Sequence, residues 1–161
     1  MFKFRFLFAA ALVLAAPAGF ASTTTTTFTV TATVLSSCTL VGGVPLAFGV
    51  YTPGVTKDAS TTFTSVCTTG TPYTLALSAG GGSGATFATR RMTSGADTLD
   101  YSLYSDAGRT TVWGDGTGGS STVASTGTGL VQTFSVYGRI PSSAAATIGV
   151  YADTITVTAT Y

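Results

Sequence analysis

Cys38 and Cys67 carry the most pointed chemistry in this sequence, and they are its only cysteines. Their separation fits no short redox motif, and without a single histidine a zinc site would lack ligands. An even pair in an exported chain reads as one disulfide. Closing a loop of about 30 residues stabilises by about 3–4 kcal/mol in the chain-entropy model. The missing histidine also removes any Ser-His-Asp triad. Asp100 and Asp153 are carboxylates that a glycosidase could pair, but nothing in the pattern brings them together. Gly114-Asp115-Gly116-Thr117-Gly118-Gly119 has dinucleotide-fingerprint spacing, yet no strand–turn–helix unit surrounds it, so it reads as a loop. Trp113 reads as a core or hairpin anchor ahead of a sugar-stacking platform. Arg91 and Arg139 read as aspartate partners or loop caps ahead of an acidic-ligand site. No catalytic residue, cofactor site or metal site is expected.

The elements that hold these residues follow from composition. Lys3 and Arg5, the apolar run Phe6–Ala16 and Pro17-Ala18-Gly19-Phe20-Ala21 form a secretory signal peptide, with cleavage expected after Ala21. The apolar run is too short for a membrane anchor, and no other run approaches about 18 residues, so no membrane span is expected in the mature chain. The mature chain, residues 22–161, fits one domain. Its five cations (Lys57, Arg90, Arg91, Arg109, Arg139) and six aspartates give 5 − 6 = −1 with no basic stripe. Nucleic acid and anionic lipid, which need clustered cations, are thereby excluded as partners. Thr, Gly and Ser dominate, helical periodicity is scarce, and the class is all-β.

Strand candidates alternate with turn signals. Leu46–Val50, Thr61–Val66, Tyr73–Leu77, Phe87–Met92, Leu99–Leu103, Leu130–Tyr137 and Ile148–Tyr161 are the expected strands, and Gly114–Gly129 is expected to be one long loop. Short strands at roughly ten-residue spacing imply a sandwich. The two ends of the mature chain share one pattern. Phe28, Val30, Ala32 and Val34 fall on one face of an extended strand, with Thr29, Thr31 and Thr33 on the other. Ile155, Val157, Ala159 and Tyr161 share a face opposite Thr154, Thr156, Thr158 and Thr160. No further strand is expected beyond Tyr161 to cover that last strand. An open apolar edge aggregates unless something fills it. Residues 28–34 either pair within their own sandwich or pass to a neighbour's sheet edge.

Several segments, in order, carry a resemblance. Phe28-Thr29-Val30 precedes Cys38; then come Leu46-Ala47-Phe48-Gly49-Val50-Tyr51, Val66-Cys67-Thr68-Thr69-Gly70, Tyr73-Thr74-Leu75 and Arg91-Met92. Leu99-Asp100-Tyr101-Ser102-Leu103-Tyr104, Trp113-Gly114-Asp115-Gly116, Val136-Tyr137-Gly138-Arg139-Ile140-Pro141 and Gly149-Val150-Tyr151-Ala152-Asp153-Thr154 follow. Together they resemble the spore coat U domain family, which includes the pilins of archaic chaperone–usher fimbriae. The tract Thr23–Thr27 lies outside that resemblance. The family implies an incomplete immunoglobulin-like β-sandwich lacking its final strand. It implies a periplasmic chaperone, an outer-membrane usher and donor-strand exchange between homologous pilus subunits. On that reading the donor strand lies at about residues 23–35 and presents Phe28, Val30, Ala32 and Val34; Ile155, Val157, Ala159 and Tyr161 belong to the accepting strand. Passage through the periplasm to the cell surface, adhesion and biofilm formation would follow. A secreted spore or cell coat matrix protein is the alternative, and a carbohydrate- or surface-binding tip adhesin a further one.

Overall fold

The computed structural model describes residues 19–161; most of the leader expected over residues 1–21 lies outside the described residues. Two units are distinguished, the first ending at Thr33 and the second comprising Val34–Tyr161. In the first, no described residue belongs to a strand. The second is all β. Its strands are β1 (Cys38–Val41), β2 (Lys57–Cys67), β3 (Pro72–Leu77), β4 (Arg90–Ser94), β5 (Asp97–Tyr104), β6 (Val123–Thr126), β7 (Gln132–Ile140) and β8 (Val157–Thr160).

These strands make two sheets, one ordered β1-β2-β7-β5-β4 and the other β6-β3-β8, and every strand pair is antiparallel. The period-two pattern explains the layering. Tyr73, Leu75 and Leu77 of β3 turn inward, as do Leu99, Tyr101 and Leu103 of β5, and all are buried. Between the sheets they meet Phe63, Trp113, Val136 and Ile140. The Phe63 ring stacks on Phe134 at 5.6 Å between centroids and lies 5.8 Å from Trp113. Trp113 donates its indole N–H to the Leu75 carbonyl at 3.0 Å, so the buried ring leaves no polar atom unpaired. It is the core anchor expected.

Cys38 opens β1 and Cys67 closes β2, and the two face each other in register and are disulfide-bonded. Thr68 secures the same corner by donating its N–H to the Ser37 carbonyl at 2.9 Å.

Several expected strands differ from those observed. Leu46–Val50 forms none, because no strand lies beside its backbone. Phe87–Met92 starts three residues late, at Arg90, because Thr86–Thr89 makes a turn. The Gly114–Gly129 loop contains β6, which pairs with β3. In the Ile148–Tyr161 stretch only Val157–Thr160 is a strand. Upstream of it Ala152 bridges to Thr93 of β4, whereas Thr156 accepts the Ser78 N–H beyond β3 at 2.9 Å. The stretch therefore crosses from the edge of one sheet to the edge of the other and cannot form one continuous ladder.

Candidate functional site

The crossing leaves a gap. Beside Tyr151–Val157 lies a groove of about 520 Å³, whose far wall is the chain from Gly42 to Phe48. Neither wall carries a continuous strand, and the free edge of β8 faces away from β3. The floor is apolar: Phe63, Leu77, Leu103 and Val136 reach it from both sheets.

Each wall is fixed by identifiable contacts. Gly43 passes so close to β2 that a β-carbon would collide with the Thr62 carbonyl. The Thr61 hydroxyl donates to the Val44 carbonyl. Further on, Tyr51 donates its hydroxyl toward the Pro141 carbonyl at 2.9 Å and the Ala144 carbonyl at 3.0 Å. Leu46 and Phe48 settle over Gly138 of β7, where a β-carbon would meet Phe48 at 2.8 Å. A second hollow, lined by Val50, Ile148 and Val150, shares Leu46, Phe48, Met92 and Tyr151 with the groove. Val50, Ile148 and Val150 are exposed.

One polar cluster marks the crossing. Tyr101 donates its hydroxyl to Asp153 Oδ2 at 2.7 Å, and Gly81 donates its N–H to Asp153 Oδ1 at 2.8 Å. Burial, then the neighbouring carboxylate, pushes the Tyr101 phenol far above its ordinary range. Behind it Arg90 is wholly buried. Its guanidinium donates to the carbonyls of Ser78, Phe87 and Trp113 at 2.9, 3.0 and 2.6 Å, tying the 78–89 loop to the core. Burial lowers its pKa. Sequence reasoning passed over Arg90 in favour of Arg91. The signal was its alternation with Met92, which places both on the inward face of β4.

The other singled-out residues fall where simple chemistry puts them. Arg91 pairs with Asp100 at 3.1 Å, and Arg139 grips Asp58 through two bonds of 2.8 and 2.9 Å. Asp58 also meets Arg109 at 3.3 Å. The Arg139 hydrogen bond, opposed by desolvation and aided by Arg109, holds the Asp58 carboxyl below its usual range. Asp100 and Asp153 have separate partners, Arg91 and Tyr101, and form no carboxylate pair. Asp115 accepts the Thr117 N–H at 2.8 Å, so the glycine-rich stretch is a tight loop and opens no helix. Among the described residues no group of His, Cys, Asp and Glu could hold a metal, and no helix is long and apolar enough to cross a membrane.

The two patterned ends meet different fates. Ile155, Val157 and Ala159 are half-buried against the core, Ile155 just ahead of β8, and Tyr161 beyond it is exposed. Phe28, Val30 and Val34 are 86, 81 and 80% exposed, Ala32 is exposed too, and none is in a strand.

The Spore Coat Protein U domain family matches residues 24–158, which takes in most of the threonine tract. No curated protein matches the chain. Among solved structures, the fold is similar to a chain of the CsuC–CsuE chaperone–tip adhesion subunit pre-assembly complex, from archaic chaperone–usher Csu pili of Acinetobacter baumannii. The TM-score is 0.55 at 21% identity, over 80% of this chain and 40% of that one. The likeness is one of fold, and this chain spans less than half of that chain's length.

Proposed function

This chain belongs to the Spore Coat Protein U domain family, and from that premise we propose that it is the structural subunit of a surface fimbria, assembled by donor-strand exchange. The observation that carries the reading is the apolar groove between Gly42–Phe48 and Tyr151–Val157, with an unpaired strand edge beside it. A periplasmic chaperone fills it first, an outer-membrane usher orders the exchange, and the leading segment of a second subunit replaces the chaperone's strand. The solved pre-assembly complex of a chaperone with a pilus subunit supports the first of these steps by analogy of fold.

The mechanism needs no reacting group. Main-chain hydrogen bonds give order, and alternate side chains filling a groove give affinity. Burying Phe28, Val30 and Val34 contributes roughly 1.5–3 kcal/mol each, and Ala32 less. Ordering the strand costs conformational entropy, which this burial and the ladder of main-chain hydrogen bonds offset together. The joint also covers an aggregation-prone edge.

Expression with a cognate chaperone and usher, followed by electron microscopy of the cell surface, tests this. Fibres that disappear when the protein is deleted are expected. Material laid down as an amorphous coat, with no fibre and no need of the usher, would favour the coat-matrix reading instead.

A further inference from the structure

Resting on that reading, we propose that the donor strand is longer than its apolar stretch: it runs from Thr25 to Val34, lies antiparallel to the C-terminal chain, and seats Ala32 against Asp153. The argument begins with lengths. The groove wall Tyr151–Val157 and the apolar stretch Phe28–Val34 are each seven residues, about 23 Å as extended chain. The unpaired edge does not stop at Val157. It follows β8 to Thr160, which makes ten residues and about 33 Å. A strand of seven residues would leave β8 uncovered along Thr158–Thr160.

Side-chain chemistry then sets the register. Antiparallel pairing of Phe28 with Val157 and Val34 with Tyr151 keeps every apolar donor residue on the inward face. It places Ala32, the smallest of them, opposite Asp153, where the Tyr101 hydroxyl and the carboxylate occupy the groove. Parallel insertion would put Val30 there instead. On the outer face the same register sets Thr31 against Thr154, Thr29 against Thr156, Thr27 against Thr158 and Thr25 against Thr160. Cross-strand threonines in contact stabilise a sheet. Past Val157 the apolar groove ends, so the inward donor residue there need not be large or apolar, and it is Thr26. The tract has no Gly or Pro to stop a strand, its residues are β-branched and exposed, and the family match begins at residue 24. The run Thr25–Thr27 is thus a sheet-extending clamp on a second copy of this chain.

Hydrogen–deuterium exchange on assembled full-length protein tests the length. Amides of Thr25–Thr27 are expected to exchange at least a hundredfold slower than in unassembled protein, together with those of residues 28–34. Protection confined to residues 28–34 overturns the extension. Protection of neither stretch in assembled material overturns strand exchange itself. Register is tested by cysteine pairs in the full chain. Thr27→Cys with Thr158→Cys is expected to link neighbouring subunits on non-reducing gels, while Thr29→Cys with Thr158→Cys is not. The reverse result would overturn the register and leave the exchange reading standing.

Discussion

Residues 28–34 and 155–161 are written in the same alphabet, yet one is exposed and unstructured as β while the other is partly a strand packed on the core. Alternating Thr with Val, Ile or Phe specifies that a segment can be a strand; it says nothing about its partner. Partnership comes from what lies alongside. Val157 and Ala159 have Leu77 and Leu75 of β3 in register with them. Among the described residues, no strand is paired with Phe28–Val34.

The largest effect expected from this contrast is functional and all-or-none. Val30→Asp should abolish polymers while leaving the thermal midpoint of the domain unchanged, because Val30 is exposed. Val157→Asp, its counterpart, should lose both polymers and stability, by about 3 kcal/mol or more, since it drives a charge into the core. Gel ladders without boiling and calorimetry on each variant separate the two cases. Equal destabilisation by both would mean that the leading segment belongs to its own sandwich, and the contrast would collapse.

Stability variants sharpen the comparison. Trp113→Ala should cost about 3–5 kcal/mol, through a cavity and an unpaired Leu75 carbonyl, read by denaturant midpoint. Replacing Cys38 and Cys67 by Ser should cost about 3–4 kcal/mol. It also frees the corner where Ser37 enters the sheet, so assembly should become less uniform in electron micrographs.

The smallest effect concerns Asp58. Its carboxyl is held below the usual range, so the stability it lends is present above the unfolded-state pKa and fades as pH falls through the folded one. The site is partly exposed, so Asp58→Asn should cost less than about 1 kcal/mol near neutral pH. The difference from the parent should begin to shrink as pH falls below about 3.9, where the unfolded carboxyl titrates, and vanish only below the depressed folded-state pKa, as read by acid titration.

The sandwich was legible because β2, β3, β5 and β7 carry strict alternation and clear turn residues. The disulfide followed from a lone cysteine pair in a chain whose leading residues read as an export signal. Leu46–Val50 misled because Leu46 and Phe48 are real core and groove residues, whereas a strand needs a backbone neighbour as well. β6, Val123-Ala124-Ser125-Thr126, has too little contrast between its faces to stand out from the surrounding Gly, Ser and Thr. The open groove was expected from the resemblance and from the uncovered last strand. Its geometry was not, because the crossing at Asp153 depends on Tyr101, Gly81 and Arg90, which lie far away in sequence.

The most direct test of subunit completion is a cryo-electron microscopy structure of the assembled product. It should show residues 28–34 of one molecule lying between Gly42–Phe48 and Tyr151–Val157 of the next. A groove that stays empty in the assembly, or is closed by the molecule's own leading segment, would contradict it.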